Sequence, residues 1–252
     1  MGANVSAMDA TTSAREARKR DALLLTDTVR EAGALALSLF RTELKNWTKG
    51  TSSPVSEADI AVNELIAGRL RSARPDYGWL SEESADDESR LAKKYTWIVD
   101  PIDGTRSYLA GRDDWCVCAA LVEDATPVLA AVFAPASDEF FFAARGQGAL
   151  RNDQRVVASG GDDLDFARMA GPKPLVQRLS SSPEEITLHP RIGSLALRLC
   201  RVAHGELDAA FAGGQSKDWD LAAENLIVQE ANGRMTALSG DASRPRATRS
   251  LM

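Results

Sequence analysis

Apolar and polar positions alternate along this chain with two periods, and the change from one period to the other divides it into elements. From about residue 13 to residue 44, apolar residues recur three and four positions apart, as at Leu25, Val29 and Ala32. This spacing predicts a long amphipathic helix. The small and polar residues before it, 1–12, predict a disordered tail.

A second helix is predicted after a polar loop. Ser56 is a candidate N-cap, and Asp59 follows three residues later, which is the spacing of a capping box. The helix then runs to about Ala73. Asp59 has a structural interpretation as part of this cap and a functional one, and the residues alone leave both open.

Short apolar runs with a period of two predict strands in the middle of the chain. One leads from Gly78 into the acids Glu82 and Glu83, and another covers Trp97 to Val99. Three further runs alternate with turns and predict an antiparallel meander, over residues 115–122, 128–134 and 139–144.

A stretch rich in Gly and Asp, residues 159–163, predicts a boundary between two lobes. Beyond it the pattern predicts helices over 173–179, 194–203 and 218–231, and strands over 185–189, 206–211 and 234–238. We therefore expect an N-terminal α+β lobe, 13–158, and a C-terminal α/β lobe, 159–252, that form one integrated catalytic unit.

Composition narrows the function. The net charge of −6 disfavours a nucleic-acid polymer as partner. The chain has no run of 18 apolar residues and no apolar signal-peptide core, so neither a membrane partner nor secretion is expected. Its three cysteines, an odd number without metal-ligand spacing, are predicted to be buried reduced thiols, which favours a cytoplasmic location.

The segment from Asp100 to Thr105 carries the strongest chemical signal. Pro101 and Gly104 make a short, rigid strand end that holds Asp100 and Asp103 close together. Two charges about 4 Å apart repel by about 4 kcal/mol at an effective dielectric of 20. A bound cation or a shared proton would relieve this repulsion.

An oxygen-only ligand set favours Mg²⁺ first and Mn²⁺ or Ca²⁺ next. Zinc is disfavoured because the two histidines, His189 and His204, are isolated. Taken singly, Glu82, Glu83 and Asp220 are also explained as solvated strand ends or as a helix cap. The sequence contains no phosphate-binding P-loop and no dinucleotide-binding glycine motif.

Three motifs in order resemble the inositol monophosphatase family of metal-dependent, lithium-sensitive phosphatases. They are Trp79–Ser84, Trp97–Thr105 and Trp219–Ala231, with a weaker fourth match at Ile192–Ala196. The resemblance implies an α+β fold, a five-layer αβαβα sandwich that is often dimeric, so a homodimer is expected.

The resemblance also implies a metal site of two or three Mg²⁺ ions, for which Mn²⁺ is a possible substitute. Glu82, Asp100 and the carbonyl of Ile102 would hold one ion, and a second would be held by Asp100, Asp103 and Asp220. One ion would lower the pKa of the attacking water and the other would stabilise the leaving oxygen, in a direct in-line hydrolysis without a phosphoenzyme.

Catalytic and substrate-binding roles are implied in the same way. Glu82 and Thr105 would orient the water, and Asp59 would hydrogen-bond the threonine. The small phosphorylated substrate would be bound by residues from three motifs: Asp103, Gly104, Thr105, Arg106, Gly193, Ser194, Leu195 and Asp220.

Inositol 1-phosphate is the expected substrate, and 3'(2'),5'-bisphosphate nucleotides are the alternative. Histidinol phosphate and fructose 1,6-bisphosphate follow. Ala212 and Gly213 stand where the inositol enzymes place a glutamate, and Arg106 could meet a second phosphate or be solvated. A catalytically silent binding protein is the non-enzyme alternative, which the complete set of implied ligands disfavours.

Overall fold

The computed structural model describes residues 2–49, 53–160, 166–179, 186–213 and 216–237. Its first helix, α1, covers Gly2–Leu39, so residues 2–12, assigned above to a disordered tail, form its first turns. Within these ranges no helix combines the length and the apolar character needed to cross a membrane.

In the described residues, five further helices and twelve strands follow α1. The helices are α2 Glu57–Ala73, α3 Thr105–Leu109, α4 Lys173–Leu179, α5 Leu195–Ala203 and α6 Ala222–Glu230. The strands are β1 Asn46–Lys49, β2 Ser53–Ser56, β3 Gly78–Ser81, β4 Tyr95–Asp103, β5 Cys116–Glu123, β6 Thr126–Ala134, β7 Glu139–Ala144, β8 Gly148–Arg151, β9 Gln154–Val156, β10 Arg168–Ala170, β11 Thr187–Leu188 and β12 Ala209–Ala210. Single 3₁₀ turns cover Glu88–Ala92 and Asp218–Asp220.

The main sheet has seven strands in the order β3-β4-β5-β6-β7-β8-β9. Only β3 and β4 are parallel, and the remaining neighbours are antiparallel, which confirms the predicted meander. Because side chains alternate along a strand, β5 serves two cores. Val117, Ala119 and Leu121 pack with α1 and α2, whereas Cys116 and Cys118 face α5 and α6.

A small parallel sheet, β11-β10-β12, lies on the far side of α5. Ala210 of β12 packs against the core that contains α5 and α6, while Ala209 and Phe211 pack against Met169 and against Val176 of α4. The layers are therefore α1 and α2, the main sheet, α5 and α6, the small sheet, and α4. This arrangement confirms the predicted five-layer α+β sandwich.

The structure differs from the predicted elements in several places. Strands β1, β2, β8, β9 and β10 are additional, and β4 continues to Asp103 instead of ending at Asp100. The strand predicted over 234–238 is wrong for the described residues 234–237, which contain only a single bridge at Thr236. The boundary stretch 159–163 lies partly outside the described residues, and the two-lobe division stays a prediction.

Candidate active site

The parallel pairing of β3 with β4 brings two acids together at the same end of the sheet. Ser81 pairs with Val99, and the amide of Glu82 donates to the carbonyl of Val99 over 3.2 Å. Glu82 and Asp100, each the next residue along its own strand, therefore lie side by side. Glu82 and Asp100 are 18 positions apart in the sequence, and only the register of β3 and β4 brings them together.

A β-bulge explains how Asp100 and Asp103 share a face. Residues three apart on a regular strand point to opposite faces. Here Asp100 pairs with Cys118 and Asp103 with Cys116, so that three steps on β4 oppose two on β5. The extra residue at Pro101–Ile102 turns Asp103 to the face of Asp100, and the bulge accommodates a proline that has no N–H to donate.

These acids open into a cavity of about 180 Å³. The residues lining it come from β2, the turn after β3, β4, α3 and the segments before α5 and α6. They are Pro54, Glu82, Asp100, Ile102, Asp103, Gly104, Thr105, Arg106, Ser107, Arg191, Gly193 and Asp220. The cavity thus gathers residues from all four sequence motifs.

Asp59 forms the predicted helix cap and also contacts Thr105, so the structural interpretation is confirmed and the functional one stays a prediction. Its Oδ2 accepts hydrogen bonds from the amide and the hydroxyl of Ser56, at 2.7 and 2.6 Å, which confirms the capping box. Its Oδ1 lies 3.1 Å from the Thr105 hydroxyl. That hydroxyl is also 3.0 Å from the carbonyl of Ile102, and its single proton serves one acceptor at a time.

Asp103 is fixed by the start of α5. Its Oδ2 accepts hydrogen bonds from the hydroxyl of Ser194 and, at 2.7 Å, from the amide of Ala196. Ser194 is also the N-cap of α5 and accepts from the amide of Leu197. The preceding turn is held by Asp114, whose carboxylate accepts from the amide of Gly193.

Asp220 enters from the 3₁₀ turn before α6. Its Oδ2 accepts from the amide of Lys217 at 2.6 Å, which caps that turn. One carboxylate oxygen is therefore used structurally, as it is in Asp59 and Asp103. The hydrogen bonds that cap these helices and this turn therefore also fix the orientation of the carboxylates.

Burial raises the pKa of each cavity acid, and at Glu82, Asp100 and Asp220 the neighbouring carboxylates add to the effect. The pKa of Glu82 is raised to about 7, mainly by burial and then by Glu83 and Asp220, against an opposing effect of Lys49. The pKa of Asp220 is raised to about 6, again mainly by burial. Burial likewise raises the pKa of Asp100 and of Asp103, although the bond from Ser194 opposes it at Asp103.

The donor set suits a hard divalent cation. It consists of carboxylate and carbonyl oxygens, and Asp100 Oδ1 is buried with no hydrogen-bond partner among the described residues. In the same ranges, no three His, Cys, Asp or Glu side chains already surround one point as ligands of an ion would.

Lys49 is a site residue that the sequence analysis missed. Its ammonium donates to the carbonyl of Glu82 at 3.1 Å and to Glu83 Oε1 at 2.5 Å, and it lies 3.9 Å from Glu82 Oε1. Asn63 supports the same turn by accepting from Ser81 and donating to Ser84. A lysine in a polar loop gives no pattern signal, because only the β1–β2 hairpin brings it to the acids.

Replacing Lys49 with methionine is expected to lower kcat/KM for phosphate-ester hydrolysis by about tenfold, since the Glu82–Glu83 turn loses a charge-assisted anchor. The measurement is phosphate release at saturating Mg²⁺. Lys45→Met is the matched control, because Lys45 is exposed and lies 3.8 Å from Glu57, outside the cavity. Equal effects of the two substitutions would contradict a specific role for Lys49.

Gly104 is required where it stands. Its φ is +94°, and a Cβ there would lie 2.9 Å from the carbonyl oxygen of Asp114. We expect Gly104→Ala to lower the free energy of unfolding by about 1–3 kcal/mol, measured by denaturant titration. Gly68→Ala is the control: Gly68 is exposed within α2 with nothing within 4 Å, so alanine should stabilise by about 0.5–1 kcal/mol.

Two predicted substrate-binding residues differ in their surroundings. Arg106 is exposed on α3 and lines the cavity. Leu195 packs into the core with α6 and does not line the cavity. Arg191, which the sequence analysis did not single out, lines the cavity just before the Gly193–Ser194 turn.

All three cysteines are buried and free, as predicted. Cys116 and Cys118 lie beside each other behind the acids, with their sulfurs 3.5 Å apart. Burial raises the pKa of both thiols, which keeps them protonated.

Comparison with known proteins shows the family to which this chain belongs. A model of the inositol monophosphatase family matches residues 20–252. The chain is 36% identical over 203 residues to a Nus factor SuhB of Xylella fastidiosa, an alignment that covers 76% of this chain and 71% of the relative. It is 34% identical to an inositol-1-monophosphatase of Mesorhizobium japonicum, covering 76% of this chain and 75% of the relative.

A histidinol-phosphatase of Mycobacterium tuberculosis is also 34% identical, and the alignment covers 79% of each chain. Among solved structures, the extragenic suppressor protein suhB of Bartonella henselae superposes with a TM-score of 0.74 at 31% identity. That superposition covers 82% of this chain and 83% of the other. Two of these relatives are named for different substrates, the Mesorhizobium protein as an inositol-1-monophosphatase and the Mycobacterium protein as a histidinol-phosphatase.

Proposed function

Since this chain belongs to the inositol monophosphatase family and is a phosphomonoesterase by class, we propose that it hydrolyses a small phosphate ester with the help of Mg²⁺. The observation that carries this proposal is the cavity formed by Glu82, Asp100, Asp103 and Asp220, with Thr105 beside them. Carboxylates clustered in this way repel one another, and a bound cation would relieve the repulsion. Asp100 Oδ1 also lacks any partner among the described residues.

In this proposal Glu82, Asp100, the Ile102 carbonyl, Asp103 and Asp220 hold the metal ions. When bound, such ions supply positive charge to the phosphate and increase the acidity of the attacking water. An all-oxygen donor set of this charge fits Mg²⁺, and Mn²⁺ is a reasonable substitute. The number of ions and inhibition by lithium stay predictions.

The chain's own groups position the reactants. Asp59 and the Ile102 carbonyl both lie within hydrogen-bond distance of the Thr105 hydroxyl, so they set its orientation towards the attacking water. Glu82 is the second group that orients this water. The backbone of Gly104 and Thr105 lines the cavity, where it would meet the phosphate.

Inositol 1-phosphate is the proposed reference substrate, supported by the family and by the Mesorhizobium relative. Bisphosphorylated substrates such as 3'(2'),5'-bisphosphate nucleotides are the second candidate. Two arginines in the cavity lining, Arg106 and Arg191, favour them. Histidinol phosphate, supported by the Mycobacterium relative, and fructose 1,6-bisphosphate are further alternatives.

The test is phosphate release from inositol 1-phosphate, adenosine 3',5'-bisphosphate, histidinol phosphate and fructose 1,6-bisphosphate, with Mg²⁺ and with EDTA. We expect turnover of at least one ester that requires the divalent ion. Turnover of none, or turnover unaffected by EDTA, would contradict the proposed activity.

A homodimer and a cytoplasmic location are part of the same proposal. The three free, buried thiols support a reducing compartment. Sedimentation equilibrium would measure the oligomeric state.

A further inference from the structure

One part of the cavity wall is basic although the rest is acidic. Arg106 and Arg191 line the same cavity as the four acids. Arg191 precedes the Gly193–Ser194 turn, which is fixed to Asp114 and, through Ser194, to Asp103. The backbone that carries Arg191 is therefore held at a defined place beside the acids.

Arg191 is not paired with a carboxylate in the described part of the chain. Its side chain is exposed, and it forms no hydrogen bond or ion pair with any residue in the described ranges. Of the cavity acids, Asp103 uses one carboxylate oxygen for Ser194 and Ala196, and Asp220 uses one for the amide of Lys217. A guanidinium held at a cavity wall without an acid is available to an anionic ligand.

A second guanidinium strengthens this argument. Arg198, in the first turn of α5, is partly buried and donates only to the backbone carbonyls of Ser194 and Phe211, at 3.4 and 2.9 Å. No ion pair joins it to an acid in the part of the chain that the structure describes. Its pKa is lowered mainly by burial, with Asp103 opposing the change and the positive charge of Arg191 adding to it.

The guanidinium groups of Arg191 and Arg198 repel each other, and Asp103 offsets this repulsion at Arg198. Divalent cations would relieve the acids, but they would leave this repulsion in place. An anion beside Arg191 would relieve it, and planar guanidinium groups bind carboxylate and phosphate through paired hydrogen bonds. The scissile phosphate belongs with the acids and the metal, so this anion is a different group.

We propose that the substrate carries a second anionic group, phosphate or carboxylate, and that Arg191 binds this group and selects for it. This inference rests on the proposed phosphatase activity and specifies its substrate class. Arg191 is a specificity-determining residue in this view, because it acts on the part of the substrate that does not react.

The test uses two matched pairs of esters that differ in the second anion. Inositol 1,4-bisphosphate is compared with inositol 1-phosphate, and 3-phosphoglycerate with glycerol 3-phosphate. For the wild-type enzyme with Mg²⁺, we expect kcat/KM to be about tenfold higher for the ester that carries the second anion in at least one pair. This is the effect of one charge-assisted contact at a partly exposed site. The pair that shows the preference identifies the anion as phosphate or carboxylate.

Arg191→Gln should reduce that preference to within about twofold, while the ester without the second anion keeps its kcat/KM. Arg191→Lys should keep part of the preference. Arg71→Gln is the matched control: Arg71 is exposed at the end of α2, outside the cavity, and its loss changes the net charge equally. Histidinol phosphate, whose tail is cationic, should gain kcat/KM in Arg191→Gln.

Three results would overturn the inference while leaving the phosphatase proposal intact. They are the absence of a preference in both pairs, a preference that survives in Arg191→Gln, and an equal loss in Arg71→Gln. If neither these esters nor those of the first test are hydrolysed in the presence of Mg²⁺, the proposed function itself fails, and this inference fails with it.

Discussion

Replacing Asp103 with asparagine is expected to lower Mg²⁺-dependent kcat/KM by about a thousandfold. The substitution keeps the shape of the side chain, and an amide oxygen can still accept from Ser194 and from Ala196 as Oδ2 does now. What it removes is one negative charge from the acids that line the cavity. The measurement is phosphate release over a range of Mg²⁺ concentrations, because a weakened metal site should also shift the concentration needed for half-maximal activity.

The folded state provides the control for this experiment. Burial raises the pKa of Asp103, so its ionised form is unfavourable in the metal-free protein. We therefore expect Asp103→Asn to unfold at the same or a higher temperature without metal. Asp138→Asn, at an exposed turn with a φ of 52° that asparagine tolerates, should retain full activity. Wild-type turnover by Asp103→Asn would show that the assignment of the site is wrong.

Local patterns predicted the elements of this fold better than their boundaries. The helix after Ser56 was predictable because the cap and the apolar spacing agree, and the structure confirms both. The end of β4 was not, because a proline normally ends a strand, whereas here a bulge at Pro101–Ile102 continues the pairing with β5. Short strands such as β10 depend on neighbours in the small sheet and carry no pattern of their own.

The residues of the site likewise divide into those that the sequence predicts and those that only the fold brings in. Asp100, Asp103 and Thr105 are adjacent in sequence, so their shared location follows from a few residues. Glu82 joins them only through the parallel register of β3 and β4. Lys49 ends β1 and Arg191 lies in the loop before α5, and nothing in their surroundings along the chain marks them as parts of the site. Their contribution depends on which hairpin or turn the folded chain places beside the acids.

The last prediction concerns the cost of keeping these acids close together without metal. The pKa of Glu82 is raised from 4.5 to about 7 and that of Asp220 from 3.8 to about 6, both mainly by burial. A folded acid with a raised pKa holds its proton more tightly than the unfolded chain does. The free energy of unfolding is therefore highest below about pH 4 for these groups and falls as the pH rises towards 7. For a shift of the size seen at Glu82 the loss is about 3 kcal/mol.

Other groups act in different ranges of pH or independently of metal. Burial raises the pKa of Glu139, but hydrogen bonds and charge, above all from Arg201, lower it by more. The pKa of Asp208 is lowered mainly by Arg168. The stabilisation that these two acids contribute is therefore lost only in acid. His204, whose pKa is lowered by burial, destabilises the fold as the pH falls below about 6.5 and thus opposes the cavity acids. Glu224 is fully buried with a raised pKa and acts in their direction, but it does not line the cavity.

Metal binding separates the cavity acids from all of these groups. We expect the melting temperature in EDTA to fall between about pH 5 and pH 7.5, and Mg²⁺ to raise it more at pH 7.5, where the acids are ionised, than at pH 5. NaCl at matched ionic strength controls for screening. Asp100→Asn removes the fully buried acid whose Oδ1 has no partner among the described residues, so it should reduce both the loss in EDTA and the gain from Mg²⁺. An Mg²⁺ effect of equal size at the two pH values, or one that Asp100→Asn leaves unchanged, would show that the ion binds elsewhere.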